Sequence, residues 1–524
     1  MSIKFIKGKT PPWYFLIPAF FVGISVAIPL VYLFIRALEG EWQQSVELIF
    51  RQRNLILLFN TLSLTIGTLI LTTIIAFPLA WLTARTDIAA NKFVTLLGVF
   101  PLAMPGYVLA YALLGLGGAN GTMALLFGLE IPRPSGFWGA LIAISLYTYP
   151  FLFLNLRAGM LSMDTSTEEA ARSLGHNSRQ ILFNVTLPQL KPAFYAGMLI
   201  IGLYVIGDFG AVSLMRFETF SYALYLQYAA SYDRIYAAWI ALMLLSLTGF
   251  ILFLEYRLLR GLLFYRSSTG TARKSRTTKL GYLKWPAYIF ITVLITASII
   301  IPIVTILFWM AQGVDPMVWD NLGQALRSSL IASAPAGILS VLFAVPLAYI
   351  SVRFPSGLSN TLQRFAYFGY ATPPLALALA FVFFSLNVIP FLYQSLALLV
   401  FAYALHYMAE AVGPIRSALY QASPRLEEAA RSLGKNRFKA FTSATLPLLI
   451  NGIIVGGAFV FLSSMKELPI TFLLSPIGFE TLALNVWSFT AEGMFAEAAP
   501  FALCILFFSI FFVGLLFARE WKKS

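Results

Sequence analysis

Nearly all of this chain lies in stretches that water would reject. Twelve predominantly apolar segments of roughly 20 residues or more follow one another, at 13–35, 55–83, 93–116, 136–156, 194–215, 236–256, 286–311, 329–351, 365–388, 391–413, 450–474 and 496–518. Backbone groups in a bilayer must be satisfied within the segment, and a helix does this. The chain is 59% hydrophobic and only 11% charged, against about 25% charged in a soluble domain. No polar stretch is long enough to be such a domain. The expectation is an all-α integral membrane protein. The first segment follows Lys4, Lys7 and Lys9, but it outruns a signal-peptide core and lacks a small-x-small cleavage site, so it reads as a retained helix. The one cysteine, Cys504, leaves no intrachain disulfide framework.

Charge then orients the spans. With the N-terminus in the cytoplasm and the segments alternating, 28 of the 36 Lys and Arg fall on the cytoplasmic side, seven on the far side, and Lys466 within a span. The acids divide 8 to 11 when Glu255 and Glu497, at the ends of their segments, are counted with the adjoining loops, and Asp208, Glu410 and Glu467 lie within spans. Net charge is +20 inside and −4 outside, which is the positive-inside pattern. The overall charge of +14 therefore reflects topology, and nucleic acid is not an expected partner.

The chain also repeats itself. Glu-Glu-Ala-Ala-Arg-Ser-Leu-Gly occurs at 168–175 and at 427–434, and each copy runs on to a Thr-Leu-Pro ending at Pro188 and Pro447. The offset is 259 residues at both ends. Ala-Phe-Pro-Leu-Ala at 76–80 parallels Ala-Val-Pro-Leu-Ala at 344–348, and Pro105 parallels Pro373, at an offset of 268. The nine-residue difference falls in the outer loop near 117–136, replaced in the second half by a tight turn at 387–390. Each half holds six spans, so the halves enter the membrane in one orientation and form parallel repeats with a pathway expected between them. The divisions are 1–54 and 55–256, a basic linker at 257–285, then 286–324, 325–518 and a tail at 519–524. The linker carries Arg257, Arg260, Arg266, Arg273, Lys274, Arg276, Lys279 and Lys284 with no acid between them, as suits a flexible tether or a strip attracted to anionic lipid.

Each repeated loop reads as a helix–turn–helix on the cytoplasmic face. Asp164 and Ser423 stand at N-cap positions and Pro424 at the first helical position. Glu168 with Arg172, and Glu427 with Arg431, have i, i+4 spacing, and Gly175 and Gly434 offer the turn. Folding alone constrains an exposed loop loosely. Two near-identical copies therefore suggest that each meets the same partner, and that the partner is dimeric or two-lobed.

The loop resembles the EAA loop of ABC importer permeases: Glu169-Ala170-Ala171, Gly175 and Leu187-Pro188, then Glu428-Ala429-Ala430, Gly434 and Leu446-Pro447. That resemblance implies a type I permease fold in two parallel six-helix repeats, with both membrane domains fused. It implies that residues 168–171 and 427–430, with the glycines and prolines named, form coupling loops for a separate cytoplasmic ATPase dimer. ATP and Mg²⁺ would then bind that partner, an extracytoplasmic binding protein would deliver substrate, and the chain would sit in a bacterial cytoplasmic (inner) membrane. The residues agree that the motor is elsewhere. Gly8-Lys9 and Gly434-Lys435 lack the upstream Gly and following hydroxyl of a phosphate loop, and no catalytic constellation is visible, so the chain reads as a transport subunit, not an enzyme. A gradient-driven secondary transporter also fits twelve spans, but it has no need of twin loops; a channel fits less well for the same reason.

Charged groups inside spans default to functional hypotheses. Asp208 and Glu467 match at the repeat offset of 259 and could face a shared pathway, or could cap broken helix and pair with Lys466. His406 and Glu410 lie one turn apart, which suits a His–Glu hydrogen bond or part of a metal or proton site. Lys466-Glu467-Leu468-Pro469, Phe479-Glu480-Thr481-Leu482-Ala483, Ala496-Glu497-Ala498-Ala499-Pro500 and Asp208-Phe209-Gly210 are similar to fused permeases of ferric-iron importers. This implies ferric iron as cargo, with thiamine or an aminophosphonate as alternatives. Carboxylates and the 24 Tyr are compatible with a hard cation, though tyrosine also anchors membrane interfaces. Outer segments around Glu218 and Glu480 would dock the binding protein.

Overall fold

A computed structural model describes residues 11–163, 166–229, 233–259 and 278–521. Most of the linker and the expected N-cap Asp164 lie outside them. The described residues form an all-helical bundle whose one extended pairing joins Thr86 to Thr278. Ten helices are long and apolar enough to cross a membrane: Trp13–Ala37, Ser45–Arg85, Gly136–Ser162, Arg179–Gly207, Arg234–Leu254, Gly281–Ala311, Pro316–Arg353, Leu396–Gln421, Arg437–Met465 and Phe495–Phe512. Two further apolar elements are bent pairs, Asn91–Ala103 with Gly106–Leu116 and Gly357–Ala371 with Pro374–Val388, each counted here as one span. All are numbered below as spans 1 to 12 in chain order, which makes the bent pairs spans 3 and 9.

The bends correct the expectation of continuous helices over 93–116 and 365–388. Span 3 turns by 92° and span 9 by 105°. The cause is the matched prolines. Met104, before Pro105, has ψ 121°, and Thr372, before Pro373, has ψ 128°; a residue preceding proline is forced out of the helical region. Spans 5 and 11 also stop earlier than their apolar patterns, at Gly207 and Met465, and restart as the short helices Gly210–Leu214 and Pro469–Leu474.

The halves are interlocked. Span 1 packs on spans 8 and 9 of the second half, while span 7 packs on Gly106–Leu116 of the first. The buried stripe of span 1 is built from small residues, Ala19, Val22, Gly23 and Val26, and a methyl group at Gly23 would touch Leu362 at 3.5 Å. Its other face, Ile17, Phe20, Phe21, Ile24 and Ile28, is exposed and suits lipid. Because hydrocarbon gives no hydrophobic drive between helices, close backbone approach by small residues dominates their packing. Gly456 in span 11 lies against span 10, where an added Cβ would sit 2.9 Å from the Ala411 Cα.

Gly456→Ala should therefore lower the thermal unfolding midpoint of the solubilised chain, by the equivalent of about 1–3 kcal/mol for overpacking. Gly249→Ala in span 6, with nothing within 4 Å, should not. Equal midpoints for the two variants would contradict the packing described.

Candidate functional site

Both repeated loops fold alike. The first helix is Ser166–Ser173 in one copy and Pro424–Ser432 in the other. Gly175 and Gly434 then take φ +84° and +86°, the left-handed conformation that glycine adopts without strain. In each copy the glycine N–H donates to the arginine carbonyl three residues back, Arg172 or Arg431, and the next N–H, of His176 or Lys435, donates to Ala171 or Ala430. This is the Schellman termination. A second short helix starts under the side chain of Asn177 or Asn436. A π-turn, Leu182–Thr186 or Phe441–Thr445, then leads into the long helices Leu187–Gly207 of span 5 and Leu446–Met465 of span 11, with Pro188 and Pro447 in their first turn. Ser423 sits at an N-cap position but makes no side-chain capping bond.

The motif has two faces. Glu168 and Glu427 are half-buried and point back into the protein, with Ala171 and Ala430 buried beside them. Glu169, Ala170, Glu428 and Ala429 are exposed. The expected pairing of Glu168 with Arg172 does not form: Glu168 takes both guanidinium nitrogens of Arg85, at the end of span 2, at 3.3 and 3.2 Å, and accepts from Thr186. Glu427 likewise leaves Arg431 and accepts from Tyr349 of span 8 and Thr445. A half-buried, two-pronged partner outcompetes a solvated one. Arg85 and Arg353, matched at the 268 offset, are sites the sequence reading missed. It also missed Leu174 and Leu433, a matched pair of apolar side chains that are 80% and 83% exposed at the loop tips.

The linker's far end braces the first loop. Thr278 N–H donates to the Arg85 carbonyl, and Asp87 N–H to that of Thr278. Asp87 accepts from the Leu280 N–H and pairs with Lys284 at 3.3 Å. The Leu280 bond, with Lys284, holds the Asp87 carboxyl below its ordinary range.

At the other end of spans 5 and 11, four helix breaks meet around a cavity of about 230 Å³. The breaks of spans 3 and 5 come from the first half and those of spans 9 and 11 from the second. They touch reciprocally. A methyl group on Gly207 would lie 3.2 Å from Pro374, and Tyr107 donates to the Lys466 carbonyl at 3.2 Å. Asp208 lines the cavity and accepts from the N–H groups of Ala211 and Val212 and from Tyr147. Glu467 also lines it, accepting from Ile470 N–H and Tyr407. Each carboxylate thus caps the short helix after its break and takes a phenol from span 4 or span 10. Glu467 forms no ion pair with Lys466 among the described residues. The Lys466 ammonium instead donates across the halves to the Leu102 carbonyl at 3.4 Å.

His406 and Glu410 are not bonded to each other, contrary to that expectation. His406 Nδ1 donates to the Gly369 carbonyl, freed near the span 9 bend, and Glu410 accepts from Ser463 of span 11. His406 lines the cavity and Glu410 does not. Among the described residues, no three of His, Cys, Asp and Glu converge as metal ligands. Glu218 and Glu480 are exposed; Glu218 pairs with Arg53 at 3.5 Å.

Two matched helix–turn–helix loops on a bundle of two repeats, with broken helices around a central cavity, define a type I ABC importer permease. The chain belongs to the family described as "Binding-protein-dependent transport system inner membrane component", whose pattern it matches twice, over residues 76–265 and 337–521. It is 31% identical over 509 residues to the Fe(3+)-transport system permease protein FbpB 2 of Haemophilus influenzae, covering 96% of this chain and 97% of that one. It is 29% identical to the molybdenum transport system permease protein ModB of the same organism over 157 residues, covering 29% and 67%. It is 25% identical to the sulfate transport system permease protein CysW of Escherichia coli over 249 residues, covering 45% and 86%.

Arg85→Gln removes both nitrogen contacts to Glu168 and should loosen the first loop by about 1–3 kcal/mol. Amide exchange over 166–186 should rise by a factor of about 5 or more, while 424–445 is unchanged. Equal exchange in both loops would show that Arg85 does not anchor the first.

Proposed function

We propose that this permease imports ferric iron, by alternating access powered by a separate cytoplasmic ATPase dimer and supplied by an extracytoplasmic binding protein. The observation carrying the substrate is the end-to-end likeness to a relative named for Fe(3+) transport, which covers 96% of this chain, whereas the molybdenum and sulfate relatives cover less than half. The cavity supports the same reading. Phenols of Tyr147, Tyr204, Tyr370 and Tyr407 surround Asp208 and Glu467, and oxygen donors suit a hard trivalent cation. A second reading, an oxyanion, is favoured by Lys466, since Gly207 stands at the matching position of the first half and leaves the cavity one ammonium.

In this scheme both termini lie in the cytoplasm, as the charge bias requires. Glu169, Ala170 and Leu174, with Glu428, Ala429 and Leu433, enter clefts of the ATPase dimer, while Glu168 and Glu427 hold the loops to spans 2 and 8. ATP and Mg²⁺ bind the partner, and no cofactor resides in this chain. Closure of the ATPase moves the loops, and through Pro188 and Pro447 it moves spans 5 and 11, whose far ends are the cavity walls. Outer segments bearing Glu218 and Glu480 receive the binding protein.

Proteoliposomes holding the permease, its ATPase and its binding protein should take up ferric iron only with ATP, and uptake should survive an uncoupler. Uptake of sulfate or molybdate but not iron would decide for the oxyanion reading, and uptake lost with the uncoupler would return the chain to a gradient-driven class. Asp208→Asn combined with Glu467→Gln should abolish uptake while the complex still assembles. Glu169→Lys or Gly175→Pro should detach the ATPase or uncouple its hydrolysis from transport; normal uptake in both variants would remove the docking role.

A further inference from the structure

The second coupling loop covers a cavity of about 120 Å³ that the function above leaves unused. It is far larger than the roughly 10–15 Å³ that admits a water. Its walls are Arg353 at the end of span 8, Arg431 and Arg437 of the loop, Glu427 and Glu428, and Pro12 just ahead of span 1. Arg353 is only 7% exposed. One of its nitrogens donates to the Ala422 carbonyl at 2.8 Å, and its Nε has no hydrogen-bond partner among the described residues. A guanidinium buried without an ion pair is costly, and this one forms none among the described residues.

The first half shows why. There Trp81 stands where the second half has Tyr349, and Arg85 closes directly onto Glu168. In the second half the Tyr349 hydroxyl shares its one proton between the two oxygens of Glu427, at 3.1 and 3.0 Å, and Thr445 donates to one of them. That leaves Arg353 facing Glu427 across the cavity without an ion pair at contact distance among the described residues. Arg437, where the first half has Ser178, adds a cation at the mouth. Three guanidiniums face two carboxylates, and Glu427 is already engaged.

We propose that this pocket binds a phosphate group, as the headgroup of an anionic phospholipid or as free phosphate. Arginine forks match tetrahedral oxyanions through paired N–H donors. The pocket also lies where span 1 begins and span 8 ends, and basic pockets between the ends of membrane helices hold such groups. The occupant bridges the start of span 1, the end of span 8 and the second loop, and so braces that loop as Arg85 and the linker brace the first.

The test uses the full-length chain solubilised in mild detergent, with Arg437→Ala, an exposed position that folding tolerates, and Arg353→Lys, which keeps the charge but loses the fork. Inorganic phosphate at constant ionic strength should raise the unfolding temperature saturably relative to chloride, with affinity about tenfold weaker in Arg437→Ala for one lost charge-assisted hydrogen bond. If lipid is the source, chain extracted from bilayers of mixed phosphatidylglycerol and phosphatidylcholine should retain phosphatidylglycerol by native mass spectrometry, and both variants should lose it. Either result, dependent on these arginines, supports the site and names its source. Three outcomes would overturn it: no phosphate stabilisation and no lipid preference, effects equal in wild type and variants, or a variant whose only defect is weaker association with the ATPase, which would give the pocket to an acidic side chain of that partner.

Discussion

A backbone polar group stranded in hydrocarbon costs several kcal/mol, yet this chain breaks four membrane helices at one place. Everything else in the bundle is arranged around making that tolerable. Asp208 and Glu467 accept from the first free N–H groups beyond the breaks of spans 5 and 11. His406 donates to a carbonyl freed near the bend of span 9, and Lys466 to one near the bend of span 3. Charged groups that look expensive in a membrane are here the repair of broken helices. The same groups line the cavity, because an interrupted helix cannot face lipid but can face a polar space.

The repair joins the two ends of the molecule. The long helix of span 5 runs unbroken from Leu187 to Gly207, about 30 Å at 1.5 Å per residue. One end follows the repeated loop, pinned by Glu168 to Arg85, and the other is the cavity wall at Asp208. Span 11 repeats this from Glu427 to Glu467. A loop held only by its own turns would swing without moving the bundle; a loop anchored through a half-buried carboxylate moves span 2 or span 8 with it.

Much of this was legible in the sequence. The twelve apolar segments and the duplicated octapeptide gave helix number, parallel halves and two matched loops, because hydrophobic length and exact repetition are local properties. Pro105 and Pro373 were visible as a matched pair, but apolar continuity through 93–116 and 365–388 concealed the right-angle bends. Interlocking of spans 1 and 7 was not visible, since lipid and protein faces of an apolar helix carry similar residues. The i, i+4 spacing of Glu168 and Arg172 misled, because the winning partner Arg85 lies 83 residues away and only the fold brings it near. The matched Arg85 and Arg353 were available as a signal at the 268 offset. They went unread because arginines at cytoplasmic span ends are already explained by topology.

Duplication preserved the frame and let its contents diverge. Positions that hold backbone geometry remain paired: Pro105 with Pro373, Gly175 with Gly434, Asp208 with Glu467. Positions that face a space do not: Gly207 answers Lys466, Tyr204 answers Ser463, and Trp81 answers Tyr349. Two identical halves would be forced to present symmetric walls to whatever crosses between them. Fusing the halves in one chain removes that constraint, so a single ammonium can stand in the cavity and a single arginine pocket under one loop. The loops stayed alike while the cavity walls diverged, so whatever preserves the two loops does not act on the walls between the halves.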